Sequence, residues 1–348
     1  MANHQTPKTV TFGEIMLRLS PPRHRRFVQA DRFDVIYGGG EANVAVSLAN
    51  YGLDSYFASK LPENDIGQAC LNHLRRYGVG TDYIARGGER LGIYFLEYGA
   101  SQRGSKVIYD RARSAVNDIA PGEIDWADAF DDAEWFHWTG ITPALGEGPR
   151  RALRDALDAA TAAGVTVSCD LNFRSKLWTT EEAQRVMRPL MEHVDVCIAN
   201  EEDADRSLGL QAEGTDVEAG QLDEEGYFRL AETLKQKMDF DTVAITLRES
   251  YSASMNGWSA VLHDDKDCQT PQRSSRYEID LVDRVGGGDS FAGGLIYGLL
   301  AKDSTKDALE FAVAASCLKQ TIPGDANHAT IEEIEALAEG PGSGRVQR

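Results

Sequence analysis

The sequence predicts an α/β protein: a largely parallel central sheet flanked by helices, with a small β-sheet lid. Three observations carry this. Short apolar, β-rich runs alternate with helical patterns along most of the 348 residues, as in parallel sheets whose crossovers are helices covering both faces. Two stretches, 26–39 and 92–114, are strand-rich with no helix between their strands. Two glycine runs, at 38–40 and 286–288, each open directly into a helical pattern.

The elements follow in order. "TVTFGEIMLRL" (Thr9 to Leu19) is β-rich, and "RFVQADRFDVIYGG" adds strand character without a helix. "EANVAVSLANYG" sets apolar residues at helical spacing and stops at Gly52. "DSYFASK" reads as a strand and "IGQACLNHLRRYG" as a helix ending at Gly78. "GIYFLEYGASQRGSKVIYDRARS" reads as a hairpin turning at "ASQRGS". "EWFHWTG", "VTVSCDLN", "VDVCIAN" and "DTVAITL" are buried-strand patterns, each preceded by a helical segment such as "GPRRALRDALDAATAAG". "SYSASMNGWSAVLH" predicts a second hairpin turning at Asn256-Gly257. "LQAEGTDVEAGQLDEEG" is acidic and turn-rich, a surface excursion, and 340–348 reads as a frayed tail. The expectation is a single domain over 1–348 with a discontinuous β lid from about 12–38 and 90–115.

Composition narrows the function classes. Hydrophobic residues are 42% of the chain, enough for a sizeable core. The net charge of −19 argues against nucleic acid or anionic membrane as partners. No apolar run is long enough to span a bilayer, and "MANHQTPKTV" lacks the apolar core of a secretory signal. Cys70, Cys169, Cys197, Cys268 and Cys317 are widely spaced with no C-x-x-C pair, which fits a reduced cytoplasm better than a disulfide framework or a metal site. Basic residues are skewed, with 26 Arg against 10 Lys. A concentrated-salt cytoplasm and a GC-rich genome both account for that bias.

The chemistry centres on "DRVGGGDSFAGGLIYGLL". Glycines let a ligand approach the main chain, and a helix start turns unpaired N–H groups outward. Gly286, Gly287 and Gly288 therefore form a candidate anion hole, with phosphate as its natural ligand. Asp289 opposes an anion unless it acts as a base, taking the proton of an incoming hydroxyl during phosphoryl transfer. Its plain alternative is a helix cap. The upstream run, with Gly39 and Gly40, brings Asn43 into the first helical turn, where an amide suits a polyhydroxylated ligand.

Together the two runs resemble the paired signatures of the ribokinase-like (PfkB) carbohydrate kinases. The pattern D-x-x-G-x-G-D-[ST]-F-x-x-G matches at Asp283, Gly286, Gly288, Asp289, Ser290, Phe291 and Gly294. Departures from the commoner wording, at Arg284-Val285 and Gly287, weigh against a monovalent-cation site like that of ribokinase and leave the anion hole and the base intact. The resemblance covers roughly residues 9–338. It implies a ribokinase-like three-layer fold, a β lid that often pairs between subunits, ATP and Mg²⁺, and transfer to a sugar hydroxyl. The family's N-x-x-E motif, which helps organise magnesium, has its counterpart in Asn200 and Asp203, an N-x-x-D. An acidic helix start explains the same residues without metal.

Substrate candidates come from the lid and the strand ends. A sugar acid needs a cation, and arginine forks onto a carboxylate. "GIYFLEYG", "YDRARSAVN", "DLNFRSKLW", "FGEIMLRLSPP" and "LKQTIPGDAN" resemble the 2-keto-3-deoxygluconate kinase branch. That resemblance implies Tyr94, Tyr109, Arg111 and Arg174 around the keto-acid end, with the strand-end Asn172 a further substrate candidate, Asp325 touching the substrate and the terminal hydroxyl facing Asp289. "ITLRES" resembles the family strand and turn beside ATP, which makes Thr246 and Arg248 nucleotide candidates, with Ala315 and Asn327 flanking the base. Each of these also reads as an ordinary strand-end or surface residue. Rival readings are a kinase for a neutral sugar such as fructose, and a non-catalytic sugar-acid sensor on the same scaffold. A dinucleotide oxidoreductase fails on pattern, because neither run spells G-x-G-x-x-G.

Overall fold

The computed structural model describes residues 6–211, 224–266 and 270–340. Most of the acidic excursion, Cys268 and nearly all of the tail lie outside the described residues.

Among the described residues the main sheet has ten strands. From one edge they run Gln272–Arg273, Met255–Asp264, Thr242–Ser250, Val196–Ala199, Thr166–Asp170, Ala133–Thr139, Lys8–Phe12, Asp54–Leu61 and Ile84–Arg86, with Tyr277–Asp280 also pairing with Met255–Asp264. Pairings from Thr242–Ser250 to Ile84–Arg86 are parallel, and those at Met255–Asp264 are antiparallel.

Period-two alternation sorts the core onto two faces. Val243, Ile245 and Leu247 join one apolar cluster, while Ala244 between them joins the other. Cys197 and Ala199 part from Val196 and Ile198 in the same way. Helix Glu147–Ala163 closes the first face with Ala152, Leu153, Ala156, Leu157 and Ala160, an apolar stripe at helical spacing. Gly287–Ala301 and Thr305–Gln320 close the second. Asn64, Thr179, Asn200 and Ser304 cap their helices through side-chain oxygens. This is the largely parallel, helix-flanked architecture expected from the alternation.

A second sheet orders Asp34–Gly38, Met16–Ser20, Gly92–Glu97 and Lys106–Asp110. The β-rich segment Thr9 to Leu19 thus divides between the two sheets. The hairpin of Gly92–Glu97 with Lys106–Asp110 closes through an Ala100–Arg103 bridge. The other expected hairpin turns elsewhere than predicted. Asn256 and Gly257 lie inside strand Met255–Asp264, opposite Ser250 and Glu249. The turn falls at 251–254, where the Tyr251 and Ser252 N–H groups donate to the Met255 carbonyl and the Ala253 N–H donates to the Ser101 carbonyl. Gly257 instead leaves room for the Arg276 guanidinium, which pairs with Glu249.

Lys8–Phe12 has a parallel neighbour on each side. The chain winds first toward Ile84–Arg86 and then builds the other half, so winding reverses at this strand. Open α/β sheets bind ligands outside the carboxyl ends of their strands at such a reversal.

Candidate active site

A cleft of about 750 Å³ opens at that reversal. Both glycine runs, the lid residues Tyr94, Tyr109 and Arg111, and the strand-end residues Asn172, Arg174 and Thr246 line it. Gly39, Gly40, Asn43, Asn200, Asp203, Arg248 and Asp325 line it as well. The fold therefore gathers residues separated by up to about 285 positions in sequence around one cavity.

Gly286 is the N-cap of Gly287–Ala301, with a left-handed φ of 80°. A side chain there would bring Cβ within 1.8 Å of the Asp325 carbonyl oxygen, so only glycine fits. A Cβ on Gly288 would meet nothing within 4 Å, which leaves its backbone open to a ligand. Asp289 stands in the first turn, and its Oδ2 accepts from Asn43 Nδ2 at 2.6 Å. The two glycine-run helices are thus tied together at the candidate base. Burial pushes the Asp289 carboxyl up to about 6; the Asn43 hydrogen bond works against that and Asp325 adds to it.

Further acids crowd the floor. Burial raises Asp203 to about 6, opposed by Arg174 and the Phe173 N–H. Asp170 is pushed well above the carboxylate range by burial and then by Asp203 and Asp289. Asn172 turns beside it with a φ of 37°, donating its N–H to Asp170 Oδ1. Glu41 rises to about 7 through burial although Thr139 and Thr142 hydrogen-bond it. Like charges sharing a low-dielectric space raise one another's affinity for protons. Arg174 has no ion pair with a carboxylate among the described residues, and its charge works against the raised values at Asp170, Asp203 and Asp289.

On the lid side Arg111 is not free. Its Nε donates to Glu14 Oε2 at 2.8 Å, and its Nη2 bonds the same oxygen. Its guanidinium carbon also lies 5.5 Å from the Tyr109 ring centre. Tyr94 and Asp325 are bonded to each other, and Asp325 is further paired with buried Arg18. Gly38 makes this possible, because a Cβ there would lie 2.1 Å from Asp325 Oδ2. Glu14 and Arg18 escaped sequence reasoning. Both stand in the β-rich segment whose division between two sheets the pattern does not reveal.

On the other side Asn200 caps helix Glu201–Leu208, its Oδ1 accepting from the Asp203 N–H at 2.7 Å. The plain helix-start reading of this motif is therefore realised, and both residues still border the cleft. Thr246 and Arg248 border it too, joined by Arg284, which sequence reasoning did not single out. Ala315 and Asn327 do not border it. Both are buried, and the Asn327 amide donates to Tyr51, Ser290 and the Ala315 carbonyl, tying the C-terminal loop to two helices.

Residues 6–331 match the family model for pfkB family carbohydrate kinases. A 2-dehydro-3-deoxygalactonokinase of Haloferax volcanii is 34% identical over 339 residues, spanning 97% of this chain and 99% of the relative. A 2-dehydro-3-deoxygluconokinase of Bacillus subtilis is 29% identical over 320 residues, 91% and 90% of the two chains. The crystal structure of a 2-dehydro-3-deoxygluconokinase from Thermotoga maritima superposes with a TM-score of 0.92 at 57% identity, covering 97% of this chain and 99% of that one.

Proposed function

The chain belongs to the pfkB family of carbohydrate kinases, and from that premise we propose that it is a cytoplasmic, ATP-dependent kinase of 2-keto-3-deoxygluconate that phosphorylates the terminal hydroxyl to give the 6-phosphate. The observation that carries the reading is one cleft holding a carboxylate at a glycine-run helix start together with Arg111 and Arg174. The relatives named 2-dehydro-3-deoxy sugar-acid kinases, which match nearly the whole chain, support the same acceptor class.

In this mechanism the sugar acid lies between the lid and the floor. Its carboxylate meets Arg111 and Arg174, with Tyr94, Tyr109, Asn172 and Asp325 around the keto-acid end and Gly39, Gly40 and Asn43 toward the hydroxyls. Asp289, oriented by Asn43, accepts the proton as the terminal oxygen attacks the γ-phosphorus and ADP leaves. The N–H groups of Gly286, Gly287 and Gly288 stabilise the charge on the transferring group. A base near 6 is mostly ionised at neutral pH and still takes a proton readily. Asn200, Thr246 and Arg248 attend the nucleotide.

The donor set fits Mg²⁺. No cluster of three or more metal-ligating side chains exists among the described residues, and Mg²⁺ bound to ATP takes only one or two carboxylates beside phosphates and water. Asp203 would hold it, and the ion supplies charge neutralisation on the phosphates. The lid's edge strands leave Val35 and Ile108 more than half exposed, which suits a homo-oligomer paired through the lid. Identifying the product tests the assignment: ³¹P–¹H correlation should couple phosphorus to the protons of the terminal carbon, and phosphate on another hydroxyl refutes it.

A further inference from the structure

Helix Thr305–Gln320 ends against the backbone that leads into the anion-hole helix, and the contact involves a buried charge. Lys319 is fully buried. Its Nζ donates to the Asp283 carbonyl at 2.9 Å. The same helix end grips the loop at other points. Ser316 Oγ donates to the Gly287 carbonyl at 2.7 Å, and the Gln320 carbonyl accepts from the Val282 and Asp283 N–H groups. The Asp283 carboxylate is held in turn by Arg18 Nη2 at 2.6 Å and by the Gly324 N–H.

We propose that Lys319 is a positioning residue for phosphoryl transfer: by holding the Asp283 carbonyl it sets the path of residues 283–286 and so aims the N–H groups of Gly286 to Gly288. The proposal rests on the reading of that run as the anion hole. Burial alone does not explain a lysine here. A sealed ammonium carries a desolvation cost that an apolar side chain of similar volume avoids, so buried ion pairs are weak contributors to stability. A charged donor, however, holds a carbonyl more firmly than a neutral one. It also adds fixed positive potential behind a site where negative charge develops. Asp283 and Asp325 counter the tendency of burial to discharge the amine.

The test replaces Lys319 by Met, which keeps the volume, and by Gln, which keeps a shorter neutral donor. Kinetics are taken on whatever acceptor the unmutated protein uses, so a wrong sugar assignment does not affect the comparison. Misplacing a catalytic group by about 1 Å costs on the order of 100-fold. The expected result is a kcat lowered about 10- to 100-fold in both variants, with KM for ATP and for acceptor each within about threefold. If the unmutated protein turns over no acceptor, the functional reading has failed on its own. The gain in ADP affinity on adding aluminium fluoride is then compared, and it should be about tenfold smaller in the variants. A folded variant with kcat within about threefold of the unmutated protein, a loss confined to KM, or an unchanged fluoride gain overturns the proposal. Loss of the fold in both variants overturns it too, because Lys319 then serves the fold alone.

Discussion

Replacing Asp289 by Asn should separate catalysis from stability in opposite directions. The Asp289 carboxyl stands at about 6 against an ordinary 3.8. Folding therefore favours its protonated form, and stability from this group falls as pH rises from about 4 to about 6, then stays level. A shift of that size corresponds to at most about 3 kcal/mol at neutral pH. The amide of the Asp289→Asn variant carries no charge to bury and keeps an oxygen for Asn43. At pH 7 the variant should melt at a higher temperature than the unmutated protein, and at pH 4 the gap should close. Catalysis should go the other way, because loss of a general base typically lowers rate by about 10² to 10⁴. In the unmutated protein kcat/KM should fall on the acid side with a midpoint near 6, since only the ionised form accepts the proton. Stopped and coupled ADP-release assays over pH 4.5–8, paired with thermal melts, read both effects. A near-normal kcat, or an unchanged acid limb, would return Asp289 to the role of helix cap.

Two further outcomes follow from the charges. Arg174→Ala should raise KM for the keto-deoxy acid about 30-fold, near 2 kcal/mol, and leave KM for ATP within about threefold; equal losses for both substrates would move Arg174 to the phosphates. The net charge of −19 repels itself across a surface screened over about 10 Å at 0.1 M salt and about 3 Å at 1 M. Tm and activity should both rise from low salt to molar KCl, any lid-mediated dimer dissociating first as salt is diluted, and a flat or falling Tm in a KCl series assigns the acidity to genome composition instead.

The helical and strand periodicities were sufficient to read the layers, because a parallel sheet buried on both faces needs apolar runs and helices in turn. The glycine runs were equally readable, since Gly286 admits no other residue and Asp289 follows the run directly. The network behind them was not readable. Arg18, Asp283 and the neighbours Lys319 and Asp325 come from three separate segments, and no local pattern announces that they share one buried space. Glu14 is hidden for a similar reason: it matters only because the lid hairpin brings Arg111 onto it. Asn256-Gly257 misleads because its dipeptide chemistry suits a tight turn, whereas the contact of Ala253 with the lid loop draws the turn to 251–254.

The central claim is that this cleft phosphorylates a sugar acid and selects it by its carboxylate. The most direct measurement is kcat/KM for 2-keto-3-deoxygluconate, its galacto epimer, fructose and ribose with Mg-ATP under one salt condition. A site where Arg174 has no carboxylate partner among the described residues should prefer the keto-deoxy acids over either neutral sugar by at least roughly 100-fold. Fructose or ribose turned over as well as the keto-deoxy acids would contradict the account.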